Sequence, residues 1–327
     1  MKPSDILSWR SAAQRRRVAA GLAAVELRLS STVAAVPGRL GEAGSSTLAA
    51  GGKRLRPLLV LLAARNTAPL EGAVVDAAAA VELLHMATLV HDDVLDGADL
   101  RRGLPTVART YGDEMAVSTG NFLLAQAFAV LAETGDEAAV AALAEVAWGL
   151  SEGERLQADD AFRVTVTVDD YLRRCRLKTA DLFSVACRLG AQVTGLGDET
   201  VVALGAFGDS LGLSFQMLDD ILDLTGDENV TGKRRGADLR DGTVTLPLVL
   251  AIAARPDIGP RLITCRDNET CLEGVLDDVL AGDSIERARA MALDFVDDAR
   301  GRLADCPSGF ERELLDELAG SLVDRYS

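Results

Sequence analysis

The sequence predicts an all-α fold on three observations. Hydrophobic residues make up 48% of the 327 residues and aromatics only 4%, with Ala, Leu and Val dominant. None of the nine prolines falls between Pro105 and Pro247. A stretch that long, rich in good helix formers and free of the strongest helix breaker, suits successive helices rather than strands. Its long segments also repeat apolar residues at three- and four-residue spacing instead of two.

The elements follow in order. Arg10 and Arg15–Arg17 precede RVAAGLAAVELRLSS, where Glu26 and Arg28 interrupt the apolar run too early for a secretory signal. An amphipathic first helix is predicted there. VVDAAAAVELLHMATLV, AVSTGNFLLAQAFAVLAE, YLRRCRLKTADLFSVACRLGA and VVALGAFGDSLGLSFQMLDDILDL each read as a helix. RVTVTV at 163–168 is the one strand candidate, and Asp169 and Asp170 after it read as a helix cap and first turn. Beyond about residue 255 the pattern is helices with solvated acidic faces. No linker or composition shift divides the chain, which predicts a single domain: N-terminal helices over 1–50, a motif-bearing core over 51–250 and C-terminal helices over 251–327.

Composition excludes several classes. The formal net charge of −16 argues against a general nucleic-acid binder. Five scattered cysteines without a CxxC argue against a disulfide framework or a zinc site, and for a reducing cytoplasm. No apolar run reaches 18 residues without a charge, so no membrane-spanning helix is expected.

Against that acidic background, LVHDDVLDGADLRRG at 89–103 places four carboxylates in eight residues at the end of an apolar run. Six Asp-Asp pairs occur, at 92–93, 159–160, 169–170, 219–220, 277–278 and 297–298. Only two of them have a further Asp four residues after the first: Asp92/Asp93/Asp96 and Asp219/Asp220/Asp223. On a helix the first and third carboxylates of such a motif lie about 40° apart and roughly 6 Å along the axis. They repel unless a cation joins them. Hard divalent cations take oxygen ligands, and Mg²⁺ accepts one or two carboxylates with substrate phosphate and water completing its shell. Two facing clusters would therefore suit a Mg²⁺–diphosphate site. Cations are also present in groups: GGKRLRP carries Lys53, Arg54 and Arg56, while Arg101 and Arg102 follow the first acidic motif. Lys178 stands beside Thr179, and Lys233 lies in GDENVTGKRRG. Arg and Lys are the usual phosphate binders. The two histidines, His85 and His91, share the helix of the first motif.

These motifs resemble the trans-isoprenyl diphosphate synthases, the polyprenyl synthetase family. GGKRLRP, HDDVLDGADLRRG, GERLQ, RLKTADLF, FQMLDDILD, TGKRRGADLR and VTLP occur in that family's order, over about 60% of the chain. The resemblance implies an isoprenoid-synthase-type helical bundle around a central apolar cavity, usually a homodimer. It implies condensation of an allylic diphosphate with isopentenyl diphosphate and release of pyrophosphate, with about three Mg²⁺ ions per active site. By position, Asp92, Asp96 and Asp219 would hold Mg²⁺, with Asp93, Asp220 and Asp223 close by. Arg101, Lys178 and Lys233 would bind the allylic diphosphate. Lys53, Arg56, His85 and Arg102 would bind isopentenyl diphosphate, and Thr179 and Gln216 would lie near the developing carbocation. Small residues at Ala87 and Thr88, where the family limits chain length with bulk, imply products of twenty carbons or more.

Two positions depart from the family pattern: Asn121 follows Gly120 where Asp is usual, and Thr243 stands where Lys is usual. They leave a slow enzyme or a partner-dependent subunit as an alternative. A class I terpene cyclase is the nearest other enzyme, but the second DDxxD and GGKRLRP favour elongation. A noncatalytic helical scaffold would tolerate neutralised motif carboxylates.

Overall fold

The computed structural model describes residues 11–67, 69–226 and 234–326. The described residues are mostly helical, as the spacing predicts. By internal packing the chain falls into two compact units. One comprises residues 1–147, 182–208 and 302–318, and the other residues 148–181, 209–301 and 319–327.

The first unit contains α1 (Ala12–Ala34), α2 (Arg39–Ala49), α3 (Leu55–Ala63) and α4 (Ala73–Leu95). It also contains α5 (Val107–Tyr111) and α6 (Asp113–Ala132). Helix α4 packs against α1, α3 and α6. That surrounded position explains its composition, since a helix covered on all sides must be apolar all round. Leu83, Leu84 and Ala87 are buried there, as is Glu82. Gly120 is what lets α6 approach α4: a Cβ at that position would lie 2.2 Å from His91 Nε2.

Further along are α7 (Glu137–Asp159), α8 (Val168–Cys175), a π-helical turn (Arg176–Ala180), α9 (Asp181–Gln192) and α10 (Asp198–Thr225). In α10, Gly208 would place a Cβ 2.6 Å from the Phe183 carbonyl oxygen, so close packing needs glycine there. The C-terminal part is helical, including Leu246–Ala254, Glu269–Ala281 and Ser284–Asp305.

Three expectations need correcting. RVTVTV forms no strand; it runs as turns into α8, whose cap is Thr167 in a capping box with Asp170. The two strands among the described residues are instead β1 (Leu100–Arg101) and β2 (Leu104–Pro105), paired antiparallel. Arg102 and Gly103 between them both have positive φ, the geometry of a two-residue hairpin turn. Cys265 and Cys271 are joined in a local disulfide that their spacing did not announce. Cysteine usage is therefore no argument for a compartment. Finally, among the described residues three helices are long and apolar enough to cross a membrane by length and composition: Ala73–Leu95, Asp113–Ala132 and Asp198–Thr225. The first and third are mostly buried in the protein, whereas only 39% of the apolar window in α6 is buried.

Candidate active site

The first unit brings GGKRLRP, the first acidic motif and the β1–β2 hairpin together. Residues of α2, α4 and the hairpin line a cavity that includes Gly51, Arg54, Glu82, Asp93, Arg101 and Arg102. Arg54 caps α3 in a left-handed conformation. Two carboxylates hold it there, with Nε donating to Glu26 Oε1 at 2.5 Å and Nη1 to Glu82 Oε1 at 2.8 Å. Glycine at position 52 leaves room for Arg102, whose Nη1 would lie 2.8 Å from any added Cβ.

Arg56 differs from Arg54. Its guanidinium stands over the Phe183 ring, and its buried Nε has no hydrogen-bond partner among the described residues. Burial pulls its pKa down to about 10, with Glu82 opposing and Arg102 reinforcing the shift. His85 is held well below the ordinary histidine value by burial and by Arg56, Arg102, Arg101 and Arg54. It is therefore neutral at pH 7. An orphaned buried guanidinium N–H beside Arg102 and a neutral imidazole lacks an acceptor, and an anion would supply one. Lys53 is exposed on the segment just before.

In the first acidic motif the three aspartates are not equivalent. Asp93 is buried and accepts from Arg101 Nε at 2.6 Å. Burial raises its pKa in spite of that pairing. Asp92 is half-buried, and Asp96, which caps α4, is exposed.

The second acidic motif repeats this division within the second unit. Asp220 is buried, with Tyr171 Oη donating to Oδ2 at 2.7 Å and Gln216 Nε2 to Oδ1 at 2.8 Å. Burial raises its pKa against those two donors. Asp219 is exposed and Asp223 half-buried. Lys178 and Thr179 lie on the π-helical turn rather than on a regular helix. Lys178 Nζ is 2.6 Å from Glu154 Oε1 and 3.0 Å from Gln157 Oε1. Thr179 Oγ1 donates to Gln216 Oε1 at 2.7 Å.

The donor set fits Mg²⁺. Each motif buries its middle aspartate, while Asp92 and Asp223 are half-buried, Asp223 accepting from the Asp238 amide at 3.2 Å, and Asp96 and Asp219 are exposed. Among the described residues no three acidic, His or Cys side chains converge into a ready-made cage. Two carboxylates at a time match a hard cation that keeps waters and takes its other oxygens from substrate phosphate.

Ala87 is buried, and the Thr88 hydroxyl turns back onto the His85 carbonyl at 2.8 Å. Lys233 lies outside the described residues. Sequence reasoning gave no role to Glu82, Glu154, Gln157 or Tyr171. GERLQ was visible as a motif, and its Glu and Gln, three apart, are the partners of Lys178. Tyr171 and Glu82 carried no spacing signal.

A family model described as "Polyprenyl synthetase" matches residues 38–281. The chain is 41% identical over 304 residues to heptaprenyl diphosphate synthase component 2 of Geobacillus stearothermophilus, covering 91% of this chain and 93% of that protein. The crystal structure of heptaprenyl diphosphate synthase from Staphylococcus aureus superposes with a TM-score of 0.90 at 33% identity, over 95% of this chain and 99% of that one. A polyprenyl synthase from Caulobacter crescentus CB15, solved as a complex with calcium and isoprenyl diphosphate, superposes with a TM-score of 0.85 at 34% identity, over 96% and 97% of the two chains.

Proposed function

The chain belongs to the polyprenyl synthetase family, and from that premise we propose that it is a Mg²⁺-dependent prenyltransferase. It lengthens an allylic diphosphate by head-to-tail condensation with isopentenyl diphosphate, releases pyrophosphate and makes products of twenty carbons or more. The observation that carries this reading is the orphaned, buried Nε of Arg56 beside Arg102 and neutral His85. That cluster needs an anion, and it stands on the same helix pair as the first acidic motif.

In this reading Arg56, Arg102, His85 and Lys53 take the diphosphate of isopentenyl diphosphate. Arg101 and Lys178 take the allylic diphosphate, each exchanging a carboxylate partner for phosphate oxygens. Asp92, Asp96 and Asp219 would hold Mg²⁺, which would supply charge to offset that growing on the leaving diphosphate. The allylic carbon–oxygen bond breaks. The double bond of isopentenyl diphosphate forms the new carbon–carbon bond, and the proton lost from the adduct goes to pyrophosphate. Thr179 and Gln216 face the developing cation with oxygen lone pairs, and apolar walls keep water from it. We place the enzyme in a homodimer; the apolar, little-buried α6 supports a covered face there.

Radiolabelled isopentenyl diphosphate with Mg²⁺ and primers of increasing length, followed by product sizing, tests the proposal. Incorporation into C20 or longer chains is expected, and chelation should abolish it. A hydrocarbon formed from the allylic diphosphate alone would point to a cyclase. The name "component 2" of the Geobacillus relative favours a second reading, a partner-dependent subunit. Under that reading the purified chain alone incorporates no label.

A further inference from the structure

Four side chains of the second unit form one continuous line of hydrogen bonds: Tyr171 to Asp220, Gln216 to Asp220, and Thr179 to Gln216. Tyr171 is wholly buried, and Asp220 and Thr179 nearly so. The directions are fixed by chemistry. Asp220 accepts on both oxygens, so the Gln216 amide must turn its NH₂ edge to the carboxylate and its carbonyl to Thr179. Thr179 has a single hydroxyl proton, and that carbonyl takes it. What remains on the Thr179 oxygen is lone pairs. With the amide reversed, the NH₂ edge would face Thr179, and its hydroxyl proton would swing outward. The surface offered to a cation would then change sign.

We propose that Tyr171 is a positioning residue for prenyl transfer. Its hydroxyl holds the Asp220 carboxylate in the position from which that carboxylate sets the sense of the Gln216 amide, and thereby keeps the lone pairs of Thr179 turned toward the allylic cation. The inference rests on the reading above that Thr179 and Gln216 border that cation. Tyr171 itself lies too deep to be a substrate contact, its hydroxyl being spent on Asp220 and its ring stacked beneath Arg174. Arg174 in turn is anchored by Asp160 at 3.0 Å and by the Val244 carbonyl at 2.6 Å.

The test is the single-turnover rate of the first condensation with farnesyl diphosphate, labelled isopentenyl diphosphate and Mg²⁺. Tyr171→Phe is expected to slow it about tenfold, with KM for both diphosphates held within about twofold. Gln216→Ala slows it as well, and in that background Tyr171→Phe changes the rate by less than about twofold. An unslowed Tyr171→Phe enzyme, or the same tenfold loss in both backgrounds, would overturn the proposal. So would a rise in KM without loss of rate. If Gln216→Ala alone leaves the rate unchanged, the parent reading of Thr179 and Gln216 fails, a result distinct from failure at Tyr171. Should Tyr171→Phe not fold, Asp220→Asn reports instead. It keeps the volume but loses the acceptor on one side, and the same rate loss at unchanged KM is expected. A wild-type rate in Asp220→Asn would sink the idea.

Discussion

Gly120→Ala ought to be a stabilising change and should prove the opposite. Gly120 lies inside α6, where alanine ordinarily gains about 0.8–1 kcal/mol over glycine. The added Cβ, however, would lie 2.2, 2.4 and 2.8 Å from Nε2, Cδ2 and Cε1 of His91. Carbon atoms pack best at about 3.5–4.0 Å, so the imidazole must leave its place or the helices must part. Overpacking of this kind costs about 1–3 kcal/mol. The net expectation is a loss of about 0–2 kcal/mol, or a fall of a few degrees in Tm. The control is His91→Ala, which removes the ring. In that background Gly120→Ala should recover its usual gain and raise Tm, reversing the sign. Activity gives a second readout, because His91 directly precedes Asp92 and a misplacement of about 1 Å near reacting groups can cost about a hundredfold. Thermal melts of the four proteins decide the matter. A Gly120→Ala protein that melts higher with His91 in place, or an equal shift in both backgrounds, would refute the packing argument.

Other predictions concern charge and space. Asp92→Ala and Asp219→Ala should each reduce turnover with Mg²⁺ at least about a hundredfold, since charge stabilisation by the metal is worth several kcal/mol; full turnover in either would end the metal assignment. His85 has a folded pKa far below the unfolded value of about 6.5, so the unfolded state takes the proton first and stability falls as pH drops below that value. The Tm of the wild type should therefore decline more than that of His85→Gln between pH 7.5 and pH 5.5, and parallel curves would contradict this. The Asp181 carboxyl is pushed up to about 6 by burial and by Asp209, against Arg176. Its charge costs stability above that pH, so Asp181→Asn should raise Tm at pH 8 and do so less at pH 4.5. Ala87→Phe should shorten the product, read by chromatography of the dephosphorylated prenols; an unchanged length distribution would remove this helix from control of product size.

The helices and the acidic motifs were legible because their signals are local. Apolar spacing along α4 and α10 and the four-residue gap between Asp92 and Asp96 need no knowledge of the rest of the chain. What the residue pattern could not reveal depends on partners distant in sequence. The β1–β2 hairpin has no alternation, only a turn at Arg102 and Gly103 that side-chain and backbone contacts make worthwhile. RVTVTV has the composition of a strand but no neighbouring strand to pair with, so Thr167 and Asp170 turned it into a cap. The burial of the middle aspartate in each triad goes with its partners Arg101, Tyr171 and Gln216, and motif spacing alone treats all three aspartates alike. Arg54 and Arg56 are two residues apart in one motif, yet one is clamped by carboxylates and the other left wanting an acceptor.

The turn at Arg176–Ala180 closes on the hydrogen bond from the Asp181 amide to the Arg176 carbonyl, one residue wider than an ordinary helical turn. Gly153 makes that bulge possible, since a Cβ there would come within 3.1 Å of the Lys178 amide nitrogen. A single-residue deletion at 176 or 177 would let the segment relax into a continuous α-helix. The wide turn takes up one residue more than its neighbours do, so the stretches on either side would keep about their present angular relation. Lys178 and Thr179, inside the turn, would be the ones to change direction, and Lys178 would leave Glu154. The extra residue thus aims two side chains, and its loss would turn them away while leaving the helices before and after it in register.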